Sequence, residues 1–146
     1  TVSWYDWSLA GRNAELVRFV RQLIALRKAH PVLRAETFYT DVEVRWFEPT
    51  GQQPDWHGPD NRLGCLIRDS GASLCLLFNA VLAPCRFVMP PSPGSGWHIA
   101  IDTSKNESIA DTSFGAEDTI AQSNIWLEAR TTIVAVSRST EAGPIE

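Results

Sequence analysis

The chain has 146 residues, 44% of them hydrophobic and 21% charged, the profile of one ordinary globular domain or a domain with an appendage. Its formal net charge of −4 argues against a nucleic-acid partner, because that binding rests on neutralising phosphates with Lys and Arg. No uninterrupted apolar run approaches the ~20 residues of a membrane-spanning helix, so no membrane partner is expected.

The opening segment, Trp4, Tyr5, Asp6, Trp7 and Ser8, is aromatic and polar. It has neither the basic nor the apolar stretch of a signal peptide. The sequence also lacks an initiator Met, its single Met being Met89, a hint of a chain cut from something longer. One clear helix follows. Asn13 is a suitable N-cap, and His30-Pro31 stops the helix because Pro disfavours a helical residue before it. Leu16, Val17, Phe19, Val20, Leu23, Ile24 and Leu26 recur at helical spacing between them. Their stripe covers about 180° of the wheel, against the ~100° that a surface helix needs. Such a helix should pack against two surfaces. The strands that follow can supply one, and the second is expected to lie in a further domain.

Beyond the helix the pattern changes to period two or short apolar runs. Glu43 to Phe47 looks like a strand, Thr50-Gly51 begins a turn, and Gln52 to Asn61 forms a polar loop holding Asp55, Trp56 and His57. Leu63 to Ile67 and Leu74 to Phe78 read as two strands joined by an Asp69-Ser70-Gly71 hairpin turn. Arg86 to Met89 is next, then a Pro-rich loop. Trp97 to Asp102 alternates, which places Trp97, Ile99 and Ile101 on one face. Thr103 to Asn124 reads as a long mobile connection. Ile125 to Leu127 and Thr131 to Val136 complete the sheet, and Ser137 to Glu146 looks like a frayed tail. Many short strands with turn signals between them predict a mainly β fold, an antiparallel β-sandwich preceded by one long amphipathic helix.

The chemistry legible in the chain is sparse. Glycosidic hydrolysis usually needs two carboxylates converging on one bond, yet the acidic residues sit in turns, caps and polar loops, where they are solvated. His30, His57 and His98 are far apart and share no metal-site spacing. No nucleophile elbow and no Gly-rich phosphate loop occur, and no cofactor or metal is implied. Cys65, Cys75 and Cys85 are odd in number. They read as buried free thiols in a reducing, cytoplasmic compartment. Six Trp residues are the unusual feature. Trp7, Trp46 and Trp97 fit core or domain-contact positions. Trp56, in a loop, and Trp126, near a strand end, are the candidates for exposed glycan-stacking platforms.

Two stretches carry a resemblance. Ser3 to Trp7, followed by Leu23-Ile24-Ala25-Leu26-Arg27-Lys28-Ala29-His30-Pro31-Val32-Leu33-Arg34, resembles the end of the catalytic barrel in the α-amylase superfamily. Asp41 to Phe47 with Pro49, Gly51 and Asp55-Trp56 resembles the segment D-V-x-W-x-x-P-x-G…D-W of the isoamylase-type, glycogen-debranching subfamily. Leu76 to Ala80 is similar to its L-L-L-N-A strand, and Leu127 to Thr131 to its closing L-x-A-R-S strand. The loop between Gly51 and Asp55 is shorter than the family pattern, and Thr103 to Asn124 matches it poorly. The resemblance implies the C-terminal part of a retaining hydrolase of α-1,6 branch linkages in glycogen or limit dextrin. Residues 1–34 would end a (β/α)8 barrel, 35–138 would form the C-terminal sandwich, and 139–146 a tail. The catalytic carboxylates belong to earlier barrel strands, so no catalytic residue is assigned here and the chain alone is expected to be inactive. Trp4, Tyr5, Asp6 and Trp7 would lie near the substrate groove of the intact enzyme. The implied partners are the chain's own catalytic barrel and, through it, glycogen or maltooligosaccharide. Two rival expectations stand beside this one: a glycan-binding accessory module, whose binding face needs coplanar aromatics open to solvent, and a protein-interaction module using the apolar helix face.

Overall fold

The structure, a computed structural model, describes residues 4, 6–68, 72–92, 94, 96–105, 119–120 and 123–138. A five-residue helix, α1 (Ser8–Arg12), leads through Asn13 into α2 (Ala14–Ala29). The termini of α2 fall where Asn13 and the His30-Pro31 pair place them. The Asn13 side chain does not cap α2, however: its Nδ2 donates back to the Leu9 carbonyl at 2.9 Å, closing α1 instead. Pro31 then starts a single 3₁₀ turn, Pro31–Arg34, at a first position where its missing N–H costs nothing.

Among the described residues eight strands follow: β1 (Val44–Phe47), β2 (Arg62–Arg68), β3 (Ala72–Asn79), β4 (Cys85–Val88), β5 (Trp97–Asp102), β6 (Thr119–Ile120), β7 (Asn124–Leu127) and β8 (Thr131–Arg138). They form a six-stranded sheet in the order β1-β2-β3-β8-β5-β6 and a two-stranded sheet, β4-β7. Every pairing is antiparallel. The antiparallel sandwich with a preceding amphipathic helix is thus the architecture the periodicity predicts.

Alternation along the central strands divides the core into two layers. Cys75 and Leu77 of β3, Ile133 and Ala135 of β8 and Leu66 of β2 face the small sheet, where they meet Phe87 and Leu127. Leu74, Val134, Val136, Cys65 and Ile67 face the other way, onto Val32 and the half-buried Phe19, Leu26 and Tyr39. The large sheet therefore has strands packed on one face, while Val32 of the 3₁₀ turn and the half-buried Phe19 and Leu26 of α2 pack on part of the other. Register is fixed tightly at the edge. Gly64 pairs with Phe47, and a Cβ at Gly64 would enter the Phe47 ring, 2.8 Å from Cδ2.

Three expectations need correction. Trp97 and Ile99 do share a face, but a bulge between Ile99 and Ile101 turns Ile101 into the opposite layer with Ala100. One extra residue in a strand reverses the side-chain sense beyond it. The stretch after Thr103 is not wholly irregular, because β6 pairs with β5 through Trp97↔Ile120 and His98↔Thr119. Residues 106–118 and 121–122 of that stretch lie outside the described residues. The final strand runs past Val136 to Arg138, with Ser137 fully buried, so only 139–146 remain of the expected tail, also outside the described residues. His30 is buried at the end of α2, where its N–H donates to the Leu26 carbonyl and its own carbonyl accepts from Leu33 N–H.

Candidate functional site

A groove of about 640 Å³ opens along the free edge of β1, lined by Asp41, Val42, Glu43, Val44, Arg45, Trp46, Gln53, Pro54, Trp56 and Arg68. Its walls follow from local chain geometry. Gly51 takes φ +84°, a left-handed conformation that only glycine adopts without penalty. Its N–H donates to the Glu48 carbonyl at 2.8 Å, and Glu48 N–H donates to the Gln52 carbonyl at 2.9 Å. This turn reverses the chain after β1 and returns Gln53 and Pro54 to the groove wall. The Arg45 guanidinium locks the turn by donating to the Gly51 carbonyl at 2.8 Å.

Asp55 sets the next bend. Its Oδ1 accepts from His57 N–H at 3.0 Å and its carbonyl from Gly58 N–H at 3.1 Å, the self-bonding by which Asp makes a tight turn. Trp56 rides on the crown of that turn, 63% exposed. Its ring meets Trp46 edge to face, with centroids 6.1 Å apart and an interplanar angle of 76°, within the favoured range for aromatic pairs. Trp46, which the sequence places at a core or domain-contact position, is 41% exposed and shares the groove. Alternation explains its exposure: Phe47 takes the inward position on β1, so Trp46 faces outward from a short edge strand. Trp7 is exposed as well, whereas Trp97 is buried with its Nε1–H donating to the Pro90 carbonyl at 2.8 Å.

Trp126 is 64% exposed but lies elsewhere. It sits on β7 opposite Arg86 of β4, on the outer face of the small sheet, while its neighbours Ile125 and Leu127 pack inward. Trp46 belongs to the helix-side face of the large sheet, paired with Cys65. Trp56 and Trp126 are therefore on opposite sides of the sandwich and do not form one platform. Trp4, Asp6 and Trp7 lie exposed before α1. Tyr5 lies outside the described residues. Asp6 Oδ1 accepts from Ser8 Oγ at 2.6 Å and from Ser8 N–H at 3.0 Å, and these bonds hold its carboxyl below the usual carboxylate range.

Acid–base chemistry finds little support in the electrostatics. Asp60 is also shifted down, by its bidentate Arg62 partner at 2.7 and 2.8 Å, the direction opposite to what a general acid needs. In the groove, Glu43 Oε2 is occupied by Thr40 N–H at 2.8 Å and Thr40 Oγ1 at 3.0 Å. Burial pushes Cys65 up to about 11 and raises Cys75 and Cys85 as well, which makes these free thiols inert rather than nucleophilic. Among the described residues, no group of three or more His, Cys, Asp or Glu is placed to hold a metal ion, and no helix is long and apolar enough to cross a membrane.

Comparison with known proteins places this arrangement. An isoamylase of Flavobacterium sp is 28% identical over 93% of this chain and 20% of its own length. A glycogen operon protein GlgX homolog of Mycobacterium tuberculosis is 29% identical over 82% of this chain and 20% of its own. A glycogen debranching enzyme of Pectobacterium atrosepticum is 32% identical over 66% of this chain and 17% of its own. The chain is a homologue of the isoamylase-type glycogen-debranching enzymes. No family model matches it. The fold likewise matches a solved α-glucosyl transfer enzyme, XgtA, with a TM-score of 0.53 at 17% identity, over 90% of this chain and 19% of that one. The chain thus spans a fifth or less of the length of these relatives.

In this debranching-enzyme homologue the motif residues have visible structural duties. Asp55 shapes the turn under Trp56. Asn79, buried on β3, donates through Nδ2 to the Ala83 carbonyl at 2.9 Å and the Glu128 carbonyl at 2.7 Å, and accepts from Val81 N–H at 3.2 Å. One amide thereby ties the β3–β4 loop to the β7–β8 turn. That turn contains Arg130 at φ 53°, whose N–H donates to the Val81 carbonyl at 3.1 Å.

Proposed function

We propose that the chain is the C-terminal part of a hydrolase that cleaves α-1,6 branch linkages in glycogen or limit dextrin. On this reading residues 1–34 end the catalytic barrel, 35–138 form the sandwich domain behind it, and 139–146 are a tail. The catalytic carboxylates reside on the barrel strands. The sandwich braces the barrel and by itself hydrolyses nothing. Trp4, Tyr5, Asp6 and Trp7 follow the last barrel strand and lie on its substrate side.

The observation that carries the reading is the two-sidedness of α2. Phe19 and Leu26 pack on the large sheet, while Leu16, Val20, Leu23 and Ile24 stay 37–59% exposed. A helix at the junction of two layers needs two apolar faces. Covering four half-exposed aliphatic side chains contributes on the order of 1 kcal/mol each, so the open face favours the docking of a barrel. The ordered homology to debranching enzymes supports the same reading.

The test compares this chain with a longer form extending upstream of Thr1, by release of reducing ends from glycogen and limit dextrin. The longer form is expected to release linear chains and the 146-residue chain none. Release by the short chain refutes its inactivity. A longer form that carries a barrel yet leaves branch points intact refutes the debranching assignment.

A further inference from the structure

We propose that the groove between Trp46 and Trp56 is a binding site for an α-1,4-linked glucan chain. It draws on the debranching reading only for the choice of ligand. Three features of the groove point to this ligand class.

The first is size and openness. At about 640 Å³ the groove falls inside the ~300–1,000 Å³ range of small-molecule clefts. It lies along the edge strand β1 and is open to solvent.

The second is lining chemistry. Asp41 and Glu43 balance Arg45 and Arg68, so no net charge selects an anion or a cation. Gln53 adds an amide that both donates and accepts. A lining of balanced charge with an amide beside an aromatic centre suits a neutral polyhydroxylated ligand, whose hydroxyls both donate and accept while its C–H faces lie against indole.

The third is angle. Two tryptophans in one plane suit a flat ribbon, the shape of a β-1,4-linked glucan. Trp46 and Trp56 are inclined at 76°, so the coplanar pair expected of a glycan-binding face is not formed. An α-1,4-linked chain coils, so successive sugar faces turn relative to one another, and inclined rings can follow that turn. The tight turn made by Asp55 and Gly58 holds Trp56 at this angle. A Cβ at Gly58 would stand 3.1 Å from Asp55 Oδ2, so the turn has little room to relax.

The experiment titrates the 146-residue chain with maltoheptaose and with cellohexaose, read by tryptophan fluorescence and calorimetry. Maltoheptaose is expected to bind with saturable quenching, and cellohexaose not to bind. Trp56→Ala should weaken binding about tenfold, the scale of a lost aromatic contact. Trp126→Ala, on the other side of the sandwich, should leave the affinity unchanged. Gln53→Ala is the second groove variant and should weaken binding even if Trp56→Ala disturbs the loop. Absence of maltoheptaose binding, equal binding of cellohexaose, or an equal loss in Trp126→Ala overturns the proposal. So does shielding of Trp56 from acrylamide in a longer form without sugar, which would make the groove an internal contact surface. Failure here and failure of the debranching reading are separable. A longer form that debranches while the groove stays empty overturns only the groove, and maltoheptaose binding beside a longer form that releases nothing overturns only the hydrolase.

Discussion

Replacing Asn79 by Ala tests whether one buried amide holds the loop end of the sandwich together. Asn79 is 2% exposed and makes three hydrogen bonds, at 2.7, 2.9 and 3.2 Å. A typical bond of this kind contributes about 1 kcal/mol net, and a buried polar group left without its partner costs about 1–3 kcal/mol. The carbonyls of Ala83 and Glu128 would both lose a donor, although both residues are exposed and water can reach them. The expected loss is therefore about 2–4 kcal/mol, a large share of the 5–15 kcal/mol that stabilises a typical domain. At roughly 3 °C per kcal/mol for a chain of this size, the melting temperature should fall by roughly 6–12 °C. Urea unfolding followed by tryptophan emission gives the free energy directly, with the m-value expected to stay constant. Asn79→Asp sharpens the test. It keeps the shape but places a carboxylate against two carbonyl oxygens, which raises its folded-state pKa. A raised carboxyl pKa means that the variant is least handicapped below the unfolded value of about 3.9 and loses stability as pH rises through the folded value. A loss under about 0.5 kcal/mol for Asn79→Ala, or a pH-independent gap for Asn79→Asp, would refute this account.

Further expectations follow from packing and charge. Gly64→Ala should cost about 1–3 kcal/mol by driving a methyl into the Phe47 ring, measurable by the same urea titration, and Phe47→Leu in the same chain should recover part of it. None of the three thiols should react with a disulfide reagent in native buffer at pH 8, because burial raises all three. Labelling should appear only at the rate of unfolding. Asp60, depressed by Arg62, contributes stability above its unfolded pKa of about 3.9 and loses it as pH falls through the lower folded value. The pair is 37% exposed on each side, so Asp60→Asn should remove no more than about 1 kcal/mol at pH 7 and flatten the acid limb of the stability profile.

Much of this fold is legible in the sequence because local chemistry agrees with it. Asn13 and Pro31 bracket α2, and short apolar runs bounded by turn signals mark β2, β3 and β8. Glycine at 51 announces the turn after β1. The width of the α2 stripe also anticipates a helix that its own sheet covers on one side only. The misses have physical causes. A bulge adds one residue without changing composition, so the reversal at Ala100 leaves no trace in the pattern. The pairing of β4 with β7 spans the poorly patterned stretch after Thr103 and is decided by which edges meet. The groove was half visible: Trp56 is marked as exposed by its loop, but Trp46 sits in a strand-forming run, and a run does not reveal whether its strand lies at a sheet edge. Trp126 is exposed as expected, yet only the topology shows that it cannot act with Trp56.

The pairing of β3 with β8 has a consequence for how such a chain is made. These strands meet in full register, from Ala72↔Arg138 to Asn79↔Thr131, and β8 also carries β5. Contacts between segments so distant in sequence close slowly, because the loop entropy is spent before the pairing returns it. During synthesis α2 precedes every strand of the sheet it packs on, and a middle position of that sheet is filled by almost the last residues described. Until residues 131–138 arrive, β3 has one neighbour and an open edge, and the sheet-facing side of α2 has no complete surface to cover it. The interval in which this chain is most exposed to aggregation and to proteases is therefore set by its last strand rather than by its helix.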